Sequence, residues 1–164
     1  MTVATTGGFT SAQLIDEEQI LTLPSLDVAG ALEIGEIAKS LGMARNLPIA
    51  IEVRLSDRII YHASLPGSKP ENDWWMSRKA KTVILKQHST LYERVSAEER
   101  GVDWYEENNL LVETHAIHGG GLPLITKKDG FVGVLLISGL PQVEDHILGV
   151  EVLAEFLARK GELL

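Results

Sequence analysis

The stretch Phe131-Val132-Gly133-Val134-Leu135-Leu136-Ile137 constrains this chain more than any other. It falls far short of the roughly 20 apolar residues a membrane span needs, and it lacks the alternation of a strand with one wet face. A continuous apolar run of this length reads as a strand covered on both faces. Helices must therefore lie on each side of the sheet that contains it.

The rest of the chain supplies those elements. Residues 1–10 read as a flexible terminus, followed by a short helix from Ser11 to about Leu21 and a break at Pro24-Ser25. A second helix runs from the N-cap Asp27 to Leu41, with Ile34, Ile37, Ala38 and Leu41 on its apolar face and Gly42 as its stop. After Pro48 the period changes to two. Ile49, Ile51, Val53 and Leu55 alternate with Ala50, Glu52 and Arg54, which predicts a strand with one buried face, and Arg58 to Ala63 returns as its hairpin partner. A third helix spans about Glu71 to Gln87, with Met76, Ala80, Val83 and Ile84 as its stripe.

The spacing Ser96-Ala97-Glu98-Glu99 has the form of a capping box and predicts a short helix beginning there, with a further turn at Asp103–Glu107. Strands are expected at Glu113–His118, Leu122–Thr126 and Phe131–Ser138. The last helix opens at Pro141, with Val143, Ile147, Val150, Ala154 and Leu157 as its stripe, broadened by Leu153 and Phe156. Strands joined by tight turns favour an antiparallel sheet, so the class is α+β with the sheet between helices.

Composition narrows the function. With 164 residues and 45% hydrophobic content, residues 11–164 are expected to fold as a single domain. A net charge of −8 argues against nucleic acid as a partner, because that affinity comes from Lys and Arg on phosphates. No cysteine is present, which removes thiolate metal sites, iron–sulfur clusters and cysteine nucleophiles. Met1 to Thr10 lacks the basic and apolar blocks of a signal peptide, and no apolar run suits a membrane. The expectation is a cytoplasmic protein.

Several clusters invite a functional reading. His115 and His118 are three apart, which on a strand places them on opposite faces and disfavours joint chelation. Gly119-Gly120-Gly121 lets a ligand approach the backbone or simply kinks the chain into the next strand. Ser138, Asp145 and His146 sit where the apolar strand meets the last helix. A hydrolytic triad there is disfavoured: the G-x-S-x-G elbow is missing, and adjacent helical residues point about 100° apart. Arg78, Lys79, Lys81 and Lys86 place four cations on one helix of an acidic chain, suited to a ligand's carboxylate or phosphate, to another subunit, or to solvent. Trp74 and Trp75 cannot both face one core, so at least one indole belongs at a rim, an interface or a cleft wall; Trp104-Tyr105 repeats the pattern. For haem iron the candidate axial ligands are His62, His88, His115, His118, His146, Met43 and Met76.

Three segments together carry a family resemblance: Glu71-Asn72-Asp73-Trp74-Trp75-Met76-Ser77-Arg78-Lys79, His118-Gly119-Gly120-Gly121-Leu122-Pro123-Leu124, and Ser138-Gly139-Leu140-Pro141-Gln142-Val143-Glu144-Asp145-His146. In this order they resemble the microbial and fungal branch of the haem-degrading-domain superfamily, which includes GlcG-like and HbpS-like proteins. The resemblance implies a profilin-like fold with a five-stranded antiparallel sheet flanked by helices on both faces. It also implies a dimer-based homo-oligomer. It transfers no catalytic residue. Lys79, Gly120, Asp145 and His146 match its motifs and, with His118 and Ser138, are the expected ligand-binding residues. The expected ligand is a small anionic or haem-like molecule, with no metal site built from the chain's own side chains. The alternative is a non-catalytic adaptor acting through protein contacts.

Overall fold

The computed structural model describes residues 6–161. Helix α1 (Ser11–Ile20) starts at Thr10, whose side chain accepts from the Gln13 amide while Gln13 reaches back to the Thr10 amide. Only Leu14 of this helix is buried. Helix α2 (Val28–Ala44) begins at Asp27 as the capping residue predicts, but it passes through Gly42 instead of stopping there. Gly42 is buried against Leu65 and Ile49, so the missing side chain serves packing.

Strands β1 (Ala50–Leu55) and β2 (Arg58–Ser64) form the expected hairpin. Helix α3 (Pro70–Lys86), helix α4 (Thr90–Glu99) and the short helix α5 (Trp104–Asn108) carry the chain from one edge of the sheet to the other. Strands β3 (Gly121–Thr126) and β4 (Gly130–Ser138) and helix α6 (Gln142–Arg159) complete the chain. The strand order is β2-β1-β4-β3, every pairing antiparallel.

Among the described residues the sheet therefore has four strands and not the five expected. The segment 113–118 does not pair as a strand, because its backbone is committed elsewhere. The amides of Thr114 and His115 donate to the Leu111 carbonyl in a turn, and the Ala116 amide donates to the Arg78 carbonyl on α3. The Tyr105 hydroxyl donates to the His115 carbonyl.

Strand β4 is sandwiched as its sequence demands. Leu135 and Ile137 join Ile51 and Val53 of β1 beneath α2 and α6, while Val134 and Leu136 join Ala50 beneath Met76, Ala80 and Val83 of α3. Each fully buried Val, Leu, Ile or Met side chain among these contributes roughly 1.5–3 kcal/mol. The second face of β1 is covered too, so Ala50 and Glu52 are buried where sequence alternation had placed them in water.

Two helices differ from their sequence reading. Helix α4 starts at Thr90, capped by Ser89, and Ser96 lies inside it. The Glu99 carboxylate accepts instead from the amide and hydroxyl of Ser11, tying α4 to α1. On α6 the buried face runs through Asp145, Leu148, Gly149, Val152 and Phe156, whereas Ile147 is 48% exposed. The face is rotated from the simple apolar stripe because it includes a buried carboxylate and Gly149, on which Leu122 packs.

Candidate functional site

The junction between β4 and α6 is held by a buried ion pair. Asp145 lies in the first turn of α6, where an acidic side chain suits the positive end of the helix dipole. Its Oδ1 accepts from the Leu140 amide at 3.0 Å, which folds the loop back onto the helix. Lys79 comes from the buried side of α3, and its Nζ donates to the Ile137 carbonyl at 2.9 Å and to Asp145 Oδ2 at 3.3 Å. Both side chains are almost fully buried. Burial pushes the Asp145 carboxyl up to about 6, against the pull of Lys79 and of the Leu140 amide. It also draws the Lys79 ammonium below its ordinary value, against the attraction of Asp145.

Gly120 explains itself beside this pair. Its φ is +120°, a backbone conformation that side chains disfavour, and a Cβ there would lie 2.7 Å from Lys79 Nζ and 2.9 Å from Asp145 Cβ. Its carbonyl accepts from the Ile137 amide at 2.9 Å, extending the β3–β4 ladder by one bond. Lys79, Gly120 and Asp145 thus form a lock joining α3, β4 and α6.

Above the lock lies an open cleft of about 260 Å³. Its walls include Asn72 and Trp75 from α3, His118 from the loop before β3, and Ser138 and Gln142 from the β4–α6 junction. Asn72 is oriented by the Lys69 amide, which donates to its Oδ1 at 2.7 Å, and its Nδ2 reaches the Ser138 hydroxyl at 3.5 Å. Gln142 Oε1 accepts from the Gly119 amide at 3.1 Å. The His118 ring stands edge-on to Trp75, with centroids 4.6 Å apart. Burial, reinforced by the charges of Arg94, Lys79 and Arg78, draws the His118 imidazole down to about 4, so it is neutral near pH 7. Its Nδ1 is buried and has no hydrogen-bond partner among the described residues.

Five of the six expected ligand-binding residues therefore meet here, four as cleft walls or floor and Gly120 beneath them. His146 does not. It faces the other side of α6, 1% exposed, with Nε2 2.6 Å from Glu17 of α1 and Phe9 edge-on at 5.7 Å. The α3 cations also fail to converge. Arg78 donates through Nε and Nη2 to the Val112 carbonyl and stacks on Trp74 and Trp75. Lys86 donates to Asn108, and Lys81 is exposed. The two tryptophans divide as their adjacency requires: Trp75 lines the cleft and Trp74 is 50% exposed. Asn72 and Gln142 escaped sequence reasoning, although both lie inside the motifs that carried the resemblance.

Of the seven candidate iron ligands, His118 alone borders the cleft. Met76 is in the core. His62 and His88 contact Glu52 and Glu18, and His115 contacts the Thr114 hydroxyl.

Comparison with known proteins places the chain in a family. Residues 26–154 match the model described as haem degrading protein HbpS-like. The chain belongs to the HbpS-like family. Among its relatives, the UPF0303 protein of Streptomyces avermitilis is 36% identical over 150 residues, covering 92% of each chain. A UPF0303 protein of Rhizobium johnstonii is 34% identical over 153 residues, covering 93% of this chain and 94% of its own. Among solved structures, the Ybr137w protein superposes with a TM-score of 0.83 at 27% identity, covering 90% of this chain and 88% of its own. The PduOC:heme complex has a TM-score of 0.62 at 17% identity, covering 78% of this chain and 94% of its own, a likeness of fold. No described helix of this HbpS-like chain is long and apolar enough to cross a membrane.

Proposed function

We propose that the cleft over the Lys79–Asp145 lock binds a small ligand without catalysis, and that haem is its leading candidate. The observation that carries this reading is His118: a neutral imidazole at the cleft wall, edge-on to an indole. A neutral imidazole is the form that coordinates iron. The cleft of about 260 Å³ lies just below the roughly 300–1,000 Å³ of sites that enclose a drug-sized molecule. It fits a small ligand whole, or one edge of a macrocycle with the remainder open to solvent or to a second copy. The residues therefore fit attachment through His118 and not full enclosure. Bound haem would supply a redox-active iron; the chain's own part is to hold it by the imidazole and to pack Trp75 against it. An anionic ligand finds less support, since Asp145 already neutralises Lys79 at the cleft floor.

The same reading takes the chain as a cytoplasmic, dimer-based homo-oligomer without a nucleic-acid partner. The half-exposed Trp74, Leu111 and Val112 favour contacts with another protein surface, and they equally support the alternative of an adaptor module.

Titration of haem into the purified chain tests the binding reading. A Soret band that shifts and saturates at one haem per chain, and that His118→Ala abolishes, is the expected result. No shift at stoichiometric haem, or an unchanged shift in His118→Ala, would overturn it.

A further inference from the structure

On the α3 face of the sheet, two strands across from the cleft residue Ser138, three side chains form a hydrogen-bonded series. Glu52 of β1 stands opposite His62 of β2 in the strand register, and Ser64 follows two residues later on the same face. Glu52 Oε2 lies 3.1 Å from His62 Nδ1, and His62 Nε2 lies 3.3 Å from Ser64 Oγ. This is the order acid, imidazole, hydroxyl, with each ring nitrogen on its proper partner. Glu52 is 5% exposed and fixed by Arg54 Nε at 2.5 Å, so the acid at the base of the series is held in place. The other group facing the ring is Asp73 of α3, whose Oδ1 is 3.7 Å from Nε2.

Ser64 itself is exposed, and β2 is an edge strand. The Leu65 amide donates to the Ile49 carbonyl, which sets the phase of the ladder at the pair Ala50 and Ser64. In that phase the Ser64 amide points off the open edge instead of toward β1. The nucleophile's own N–H is thus available to a developing oxyanion.

We propose that Glu52, His62 and Ser64 form a second site, a serine nucleophile for small activated esters and phosphoryl electrophiles. Ser64 Oγ bonds to the carbonyl carbon while its proton passes to His62 Nε2. That proton then leaves with the departing alkoxide as an alcohol, and the acyl group remains on Ser64 as an ester. Water, giving its proton to the same imidazole, hydrolyses the ester and restores the serine hydroxyl. His62 is the general base, and Glu52 is a positioning residue that holds the ring in its Nδ1–H form.

A fluorophosphonate tests this with the full chain, since its phosphorus bonds to Ser64 Oγ and fluoride departs with the proton. Intact mass and peptide mapping should find one adduct per chain, on Ser64. Ser64→Ala should remove it, and His62→Ala should slow labelling by about 100-fold, the lower range for loss of a general base. Glu52→Gln, confirmed as folded by circular dichroism, should slow labelling less and displace its pH profile. No Ser64 adduct under conditions that label a serine hydrolase, or equal labelling in His62→Ala, would overturn the assignment.

Discussion

Lys79→Met removes one partner of the buried pair while keeping most of the side-chain volume, and its cost follows from the geometry. Asp145 is left as an uncompensated charge 2% exposed, a situation that costs about 3–5 kcal/mol. The Ile137 carbonyl also loses its 2.9 Å donor, for about 1 kcal/mol more. That is a large share of a typical domain stability of about 5–15 kcal/mol. The deficit should depend on pH, with a definite sign. In the native chain the folded-state value of Asp145 is already raised from 3.8 to about 6 by burial, so the folded state holds a proton that the unfolded state releases. Loss of Lys79 removes an attraction that restrains this rise. Stability of the variant should therefore be highest at low pH, fall as pH climbs through the interval from about 4 to beyond 6, and level off above it. Urea unfolding of both proteins at mildly acidic and mildly alkaline pH measures this. The additional change Asp145→Asn should recover part of the alkaline deficit. A Lys79→Met protein within about 1 kcal/mol of the native one at both pH values, or a deficit independent of pH, would refute the account of the lock.

Gly120→Ala should destabilise the fold by roughly 2–4 kcal/mol, combining backbone strain with overpacking; a thermal melt matching that of the native chain would contradict it. His118 should titrate near 4 by NMR. Because its folded value lies below the ordinary one of 6.5, the unfolded state takes the proton first, and stability should decline as pH falls from about 6.5 to 4, by about 1–2 kcal/mol after allowance for partial exposure. In light scattering the chain should run as a multiple of 18.0 kDa, and Trp74→Ser with Leu111→Ser should shift it toward the monomer; a native monomer would exclude the assembly reading.

Much of this fold is legible in local pattern. The apolar run of β4 announces its covered faces, and Asp27 caps α2 as its side chain suggests. What fails is decided by distant partners. Glu113–His118 has a strand-like composition, but Arg78 and Tyr105 claim its backbone. Glu99 completes a capping pattern on paper and bonds to Ser11 in space. The face of α6 is misjudged because periodicity gives Asp145 to solvent, while Lys79, 66 residues earlier, compensates its burial. The same holds for the site. Lys79, Gly120 and Asp145, singled out by their motifs, meet in space, whereas the separation of His146 from them depends on which side of α6 meets α1. The series Glu52, His62 and Ser64 requires the cross-strand register, which no single segment encodes.

Amide chemical-shift mapping with zinc protoporphyrin, a diamagnetic stand-in for haem, tests the central claim most directly. The account predicts saturable shifts confined to Asn72, Trp75, His118, Gly119 and the non-proline residues of the loop 138–142, absent in His118→Ala. Shifts centred elsewhere on the surface, or none at a ligand excess, would contradict it.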